Sequence, residues 1–259
     1  MRTPLAFALA LTVAAVLAGP AFAHGDLLHL SANANESTNW FGYVQGTLEQ
    51  GGKQFNAIAA DWTVPAATQH SSGQAEYSSD WIGIGGGCVD AGCLFTDSTL
   101  IQTGTEQDVD AGGSASYGAW WEVIPGPSLV IANMTVGAGD HMHAAIAEVL
   151  AGANLWTITL QDVTRGEAFS TTVPYSSTHL TAEWIEETPL LIGTDAGFAA
   201  LPNLTNPSFA HATTNGATAN LSSSEEMLLV DSSNRVIGTP SAPNATRDGF
   251  SACTWATSC

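Results

Sequence analysis

Strand-length runs with a two-residue period, cut by turn residues at short and regular spacing, fill this chain from residue 37 almost to its end. Runs at 40–48, 55–64, 80–85, 99–106, 115–124, 128–135, 141–150, 155–164, 168–175, 181–187, 209–212, 226–231 and 236–239 are rich in β-branched and aromatic residues. Clusters such as Gln50-Gly51-Gly52, Pro125-Gly126-Pro127 and Arg165-Gly166 separate them. A half-buried strand has one apolar face, so many such strands need a second layer to cover them, and the pattern predicts a single all-β sandwich domain over 37–259. The Ala-rich run 141–150 could be read as a helix. Turn residues on both sides, Gly137 to Asp140 and Gly152 to Asn154, favour a strand.

The first 23 residues read as a secretory signal: Arg2, an apolar run from Leu5 to Leu17, and an A-x-A-like cleavage site at Ala21-Phe22-Ala23. The run is short for a membrane span of about 20 residues. The expectation is therefore an exported protein with no membrane association after cleavage, in which 24–36 form a short polar lead-in or a trimmed segment. The formal charge is −19, from 24 acids against five Lys and Arg. That excludes nucleic acid and anionic membranes as natural partners. It suits work in acid, where protonation relieves self-repulsion, and equally suits plain solubility. Four cysteines in an exported chain suggest two disulfides. Counting leaves three pairings open. The local pairs Cys88–Cys93 and Cys253–Cys259 are favoured because each would pin a loop or tail with little core of its own. Neither pair has the C-x-x-C spacing of a metal site. His141-x-His143 has same-face strand spacing, but with no obvious third ligand it reads as a surface pair, and no metal or cofactor is expected. Nothing points to an oligomer, so a monomer is the default.

The chain carries no G-x-S-x-G, H-E-x-x-H, Walker loop, dinucleotide fingerprint or paired D-[ST]-G. What remains is a set of amide and carboxyl groups on candidate strands. Alternation puts Leu100, Gln102, Gly104 and Glu106 on one face, Trp120, Glu122 and Ile124 on one face, and Glu183, Ile185 and Glu187 on one face, with Glu186 on the opposite side. If these strands are neighbours, Gln102, Glu106, Trp120, Glu122 and Glu183 line one surface.

Here the order of motifs becomes specific. Asn39-Trp40-x-Gly42, Trp62-Thr63-Val64-Pro65, Trp81-Ile82-Gly83-Ile84, Leu100-Ile101-Gln102-Thr103-Gly104, Trp120-x-Glu122 with Pro125, and Ala182-Glu183-Trp184-Ile185-x-Glu187 follow one another as in the glutamic peptidases, or eqolisins, which the chain resembles from about Ser37 to Trp255. The resemblance implies a jelly-roll-like sandwich of two large antiparallel sheets with substrate bound on the concave face of one. It implies a catalytic dyad of Gln102 and Glu183. Glu183 would be the general base on a water, and Gln102 the donor to the oxyanion. It also implies supporting roles for Trp40, Trp81, Glu106, Trp120 and Glu122, and hence an acid endopeptidase acting on polypeptides and insensitive to pepstatin. Two positions depart from the family. Gly85 stands where an Asp is frequent, and Glu106 where an Asp is usual. A family bridge from the turn after W-x-G-I to a Cys just before A-E-W has no partner here near His179, which supports the local Cys88–Cys93 pair. Two other readings of the same residues are a glycan-binding sandwich presenting some of its eight Trp, and a glycosidase using Glu122 and Glu183.

Overall fold

The computed structural model describes residues 36–90, 93–191 and 197–259. The expected signal segment and all of the lead-in but Glu36 lie outside the described residues. Thirteen strands of five or more residues form the frame. In chain order they are β1 (Trp40–Gly46), β2 (Ala57–Thr63), β3 (Ser79–Gly85), β4 (Leu100–Val109) and β5 (Ala115–Val123). Next come β6 (His141–Glu148), β7 (Leu155–Asp162), β8 (Glu167–Pro174) and β9 (Thr181–Glu187). Last are β10 (Ser208–Thr214), β11 (Glu226–Val230), β12 (Val236–Pro240) and β13 (Phe250–Thr254).

The strands pair in one continuous order, β8-β7-β6-β2-β10-β13-β12-β11-β1-β9-β3-β4-β5, with Leu129–Val130 added beyond β5. Every neighbouring pair in this order is antiparallel. The two ends of the ribbon lie over each other. Ile58, Ala60 and Trp62 of β2, Met142, Ala144 and Ile146 of β6, and Trp156, Ile158 and Leu160 of β7 share one core with Ile82 and Ile84 of β3, Ile101 of β4, Ala119 of β5, and Ala182 and Trp184 of β9. Each such side chain, fully buried, contributes about 1.5–3 kcal/mol of transfer free energy. Two tryptophans also tie the layers by hydrogen bonds: Trp62 Nε1 donates to Thr105 Oγ1 at 2.9 Å and Trp184 Nε1 to the Ala59 carbonyl at 3.3 Å.

The layers differ in their outer faces. In β2 and β7 burial alternates, as expected for strands with one face in water. In β1, β3 and β9 every residue is buried, so the second face of this layer is also covered. That doubly buried layer carries the candidate chemistry.

The strand expected over 128–135 is a correction. Only Leu129 and Val130 pair, with Trp121 and Trp120, before the chain turns at 132–133 and sends Ile131 and Met134 into the core. The strand β13 was not expected, although Phe250 and Ala252 alternate inward and close the sheet against β10 and β12. The run 141–150 is a strand, β6. Both local disulfides, Cys88–Cys93 and Cys253–Cys259, are present.

Candidate active site

Strand register aligns the candidate residues in rows running across the sheet. Glu183 on β9 pairs with Gly83 on β3, Gly83 with Gln102 on β4, and Gln102 with Glu122 on β5. Paired residues project to the same side, so Glu183, Gln102 and Glu122 share one face. Strands lie about 4.8 Å apart, which puts the Glu183 and Gln102 backbones roughly 10 Å apart with only glycine between them. A Cβ at Gly83 would meet Trp81 Cζ3 at 2.8 Å and Leu100 Cδ1 at 3.0 Å, so these two side chains lie over Gly83, between the amide and the carboxyl, and leave room for nothing larger than glycine beneath them.

The next row is Ile185, Trp81, Gly104 and Trp120. Here too a glycine sits beside large rings. A Cβ on Gly104 would lie 2.2 Å from the Asp80 carbonyl oxygen and 2.5 Å from Trp81 Cβ, contacts with backbone and side-chain root that cannot move aside. Gly104→Ala is therefore expected to destabilise the fold by about 1–3 kcal/mol, measured by urea denaturation. An unchanged midpoint would show that the β3–β4 contact is looser than these distances imply.

Trp81 is fixed from three sides. Its Nε1 donates to Glu187 Oε2 at 2.8 Å, Trp40 meets it edge-on at a centroid distance of 4.8 Å, and Gly104 leaves room behind it. Asn39 Nδ2 donates to the other Glu187 oxygen at 3.3 Å. Glu187 thus shares the Glu183 face but is engaged in holding Trp81. Trp120 is buried and lines a small cavity with Glu106, Asp108, Ser79 and Pro189. Glu106 lies one row beyond Trp120, opposite Gly118. Asp108 is pushed up to about 8, chiefly by burial and then by the Glu106 charge.

Gln102 Nε2 donates to Glu122 Oε2 at 2.6 Å, which fixes the orientation of the amide and leaves its second N–H free to donate. Glu183 is fully buried, and among the described residues neither of its oxygens has a partner at normal hydrogen-bond geometry. Burial holds its carboxyl protonated well above the usual range. The nearby Thr181 hydroxyl and Gly87 N–H dipoles pull the other way, and the Asp97 charge adds to the rise. Gly85, the departure from the family pattern, has φ +100°, and a Cβ there would lie 1.8 Å from the Thr99 carbonyl oxygen. An Asp at this position would not fit this backbone. At the same end of the sheet a cavity of about 620 Å³ opens between Thr99, Ile124, Pro125, Asn154 and Tyr175.

The match to family models decides the assignment: the model described as the Peptidase A4 family covers residues 38–248. The chain belongs to the Peptidase A4 family, the glutamic peptidases. Solved structures of this family share its fold. Scytalido-glutamic peptidase with a transition-state analogue inhibitor matches with TM-score 0.64 and 20% identity, over 84% of this chain and 98% of that one. The eqolisin SCP-B, in complex with the tripeptide Ala-Ile-His, matches with TM-score 0.57 and 19% identity over 84% and 98%. Aspergilloglutamic peptidase from Aspergillus niger matches with TM-score 0.57 and 22% identity over 69% and 99%. Comparison with curated protein sequences gives no match.

Away from this face, His141 and His143 meet residues that sequence spacing did not reveal. Asp61 of β2 bonds His143 Nδ1 at 2.5 Å and His211 Nδ1 of β10 at 2.7 Å, with His141 Nε2 3.6 Å away. Among the described residues no such group is arranged to hold a metal ion. No helix among them is long and apolar enough to cross a membrane.

Proposed function

We propose that this glutamic peptidase is an exported acid endopeptidase in which Glu183 and Gln102 form the catalytic dyad. The observation that carries the reading is the row Glu183–Gly83–Gln102–Glu122, with proton acceptor and amide donor on the same face of the sheet, one glycine apart. A substrate strand lying over this row would place its scissile carbonyl between the two groups. As the Glu183 carboxylate takes a proton from water, the water oxygen bonds to the carbonyl carbon. The oxyanion accepts a hydrogen bond from the free N–H of Gln102, held in place by Glu122. Glu183 then returns the proton to the amide nitrogen as the C–N bond breaks, giving a carboxylic acid and an amine.

Base catalysis needs the carboxylate, whereas burial favours the acid. The rate should therefore rise with pH through the Glu183 titration, with an acid limb above the roughly 4.3 of an unperturbed Glu. The test is cleavage of denatured haemoglobin or casein from about pH 2 to 7, with and without pepstatin. Gln102→Ala should lower kcat about 10²–10³-fold with KM nearly unchanged. A loss of only a few-fold would remove Gln102 from the oxyanion role. A folded wild type that cleaves nothing at any pH would overturn the peptidase reading. Export is tested by N-terminal sequencing of protein recovered from the medium, which should begin at His24.

The alternatives find little support. Trp40, Trp62, Trp81, Trp156 and Trp184 are all less than 2% exposed, so they offer no platform to a sugar. Glu122 is bonded to Gln102, which stands between it and Glu183, whereas a glycosidase needs two carboxyls facing one bond.

A further inference from the structure

The loop that follows β3 brings a second acid to Glu183. It leaves the strand through Gly85-Gly86-Gly87 and returns antiparallel, with Cys88 bridged to Thr96 and the Asp97 N–H donating to the Gly87 carbonyl at 2.8 Å. Gly87 lies directly on the Glu183 carboxyl: a Cβ there would be 2.7 Å from Glu183 Oε1 and 2.5 Å from Val44 Cγ1. Its N–H donates to Thr181 Oγ1 at 3.2 Å, on the strand that carries Glu183. Asp97, 4% exposed, clamps the returning limb. Its Oδ1 accepts from the Thr99 N–H and Oγ1, each at 2.9 Å, and its Oδ2 accepts from Thr178 Oγ1. All three donors are neutral.

We propose that Asp97 is a positioning residue for Glu183: it pins the Gly87 edge against the Glu183 carboxyl and sets a second negative charge beside it. This rests on the reading of Glu183 as the base. Among the described residues, few titratable groups surround the pair. Asp97 bears on Glu183 across Gly87, and on the Tyr175 phenol, which burial and then Asp97 and Glu122 push up. Glu122, on β5, is engaged by Gln102. A negative neighbour disfavours ionisation of Glu183, so Asp97 sets how much carboxylate is present at a given pH. Position 85 cannot serve this purpose, because the Thr99 backbone occupies the space its side chain would need.

The test is Asp97→Asn in the full-length protein. It is nearly isosteric: its Oδ1 can keep the Thr99 contacts, and its amide can donate to a rotated Thr178 hydroxyl. Two quantities are read in wild type and variant. One is kcat/KM against pH with a fluorogenic peptide. The other is the titration of the Glu183 side-chain carboxyl by ¹³C NMR, assigned with Glu183→Gln. Both midpoints should fall by about one pH unit, with the limiting rate kept within a few-fold. A purely structural Asp97 would lower the limiting rate and leave both midpoints in place, and that result overturns the proposal. If the folded wild type shows no peptidase activity, the reading of Glu183 as the base fails, while the NMR midpoint alone decides whether Asp97 acts on Glu183. Should Asp97→Asn not fold, Asp97→Ser, which keeps an acceptor for Thr99, is read in the same two ways.

Discussion

Glu183→Gln is expected to lower kcat/KM for peptide hydrolysis by about 10²–10⁴-fold while leaving the protein at least as stable as wild type. The two side chains have nearly the same shape, and Glu183 sits in a fully buried place where its oxygens have no partner at normal geometry among the described residues. What is lost is the capacity to take and return a proton. What is gained is freedom from the cost of a buried carboxyl that deprotonates as pH rises. The thermal midpoint of the variant should therefore equal that of wild type in acid and exceed it near neutrality. Calorimetry at two pH values, beside a kinetic assay, checks both halves. Residual activity within tenfold of wild type would move the search for the base to Glu122 or Glu187. Glu187→Gln has a different expected signature, since it weakens the acceptor for Trp81 Nε1 and should show first as lost stability.

The second large effect is on stability against pH. Inside the sandwich, under the site, Asp80 and Glu186 are paired on adjacent strands, and Gln107 Nε2 bonds Glu186 Oε2 at 3.2 Å and Asp80 Oδ2 at 3.4 Å. Burial raises both, and the neighbouring acid adds to the rise at Glu186. Burial likewise raises Asp108, Glu183 and Glu225. A carboxyl raised on folding binds more protons in the native than in the unfolded chain. Its stabilisation is present below the unfolded value near pH 4 and is lost as pH rises through the folded one. His211, raised by Asp61, works in the same direction. Asp61, Asp231 and Asp248 are lowered, and their contributions disappear only below about pH 4. Stability is therefore expected to peak near pH 4 and to fall by several kcal/mol towards pH 8, since each pH unit by which folding raises a carboxyl is worth about 1.4 kcal/mol. That is a large share of a typical total of about 5–15 kcal/mol. Urea denaturation midpoints at successive pH values check it. A flat profile would mean that these carboxyls are hydrated or paired in solution. Asp80→Asn should flatten the slope, because an amide needs no proton to remain buried.

Much of this arrangement is legible in the order of residues alone. The alternation in 99–106, 115–124 and 181–187 puts Gln102, Glu122 and Glu183 each on a defined face and Glu186 on the opposite one, since a strand's period of two leaves no choice once the strand is assigned. The order β9-β3-β4-β5, which brings those faces into one row, depends on pairings between residues as far as about 100 positions apart, and no local pattern encodes it. Local chemistry likewise gives no hint of Asp97, which lies in a loop and matters because the loop doubles back over Gly87. His211 is hidden for a similar reason. It stands at positive φ where the β10 register shifts, out of step with the alternation that makes His141 and His143 visible as a pair. Strand β13 is masked by its own Cys253, which draws attention to the tail bridge instead of to the alternation of Phe250 and Ala252.

The path of the ribbon also governs when the two layers can be joined. The strands that join the two layers, β10, β13, β12 and β11, all come from the last fifth of the chain, whereas β1, which β11 pairs, and β2, which β10 pairs, come near its start. Until residues 208–254 are available, each layer ends in an unpaired edge, and no strand pairing joins one layer to the other. Such a topology has high contact order, and the loops it closes span most of the sequence. Strand pairing between the two layers is therefore expected to complete late, when the C-terminal strands become available to join both halves.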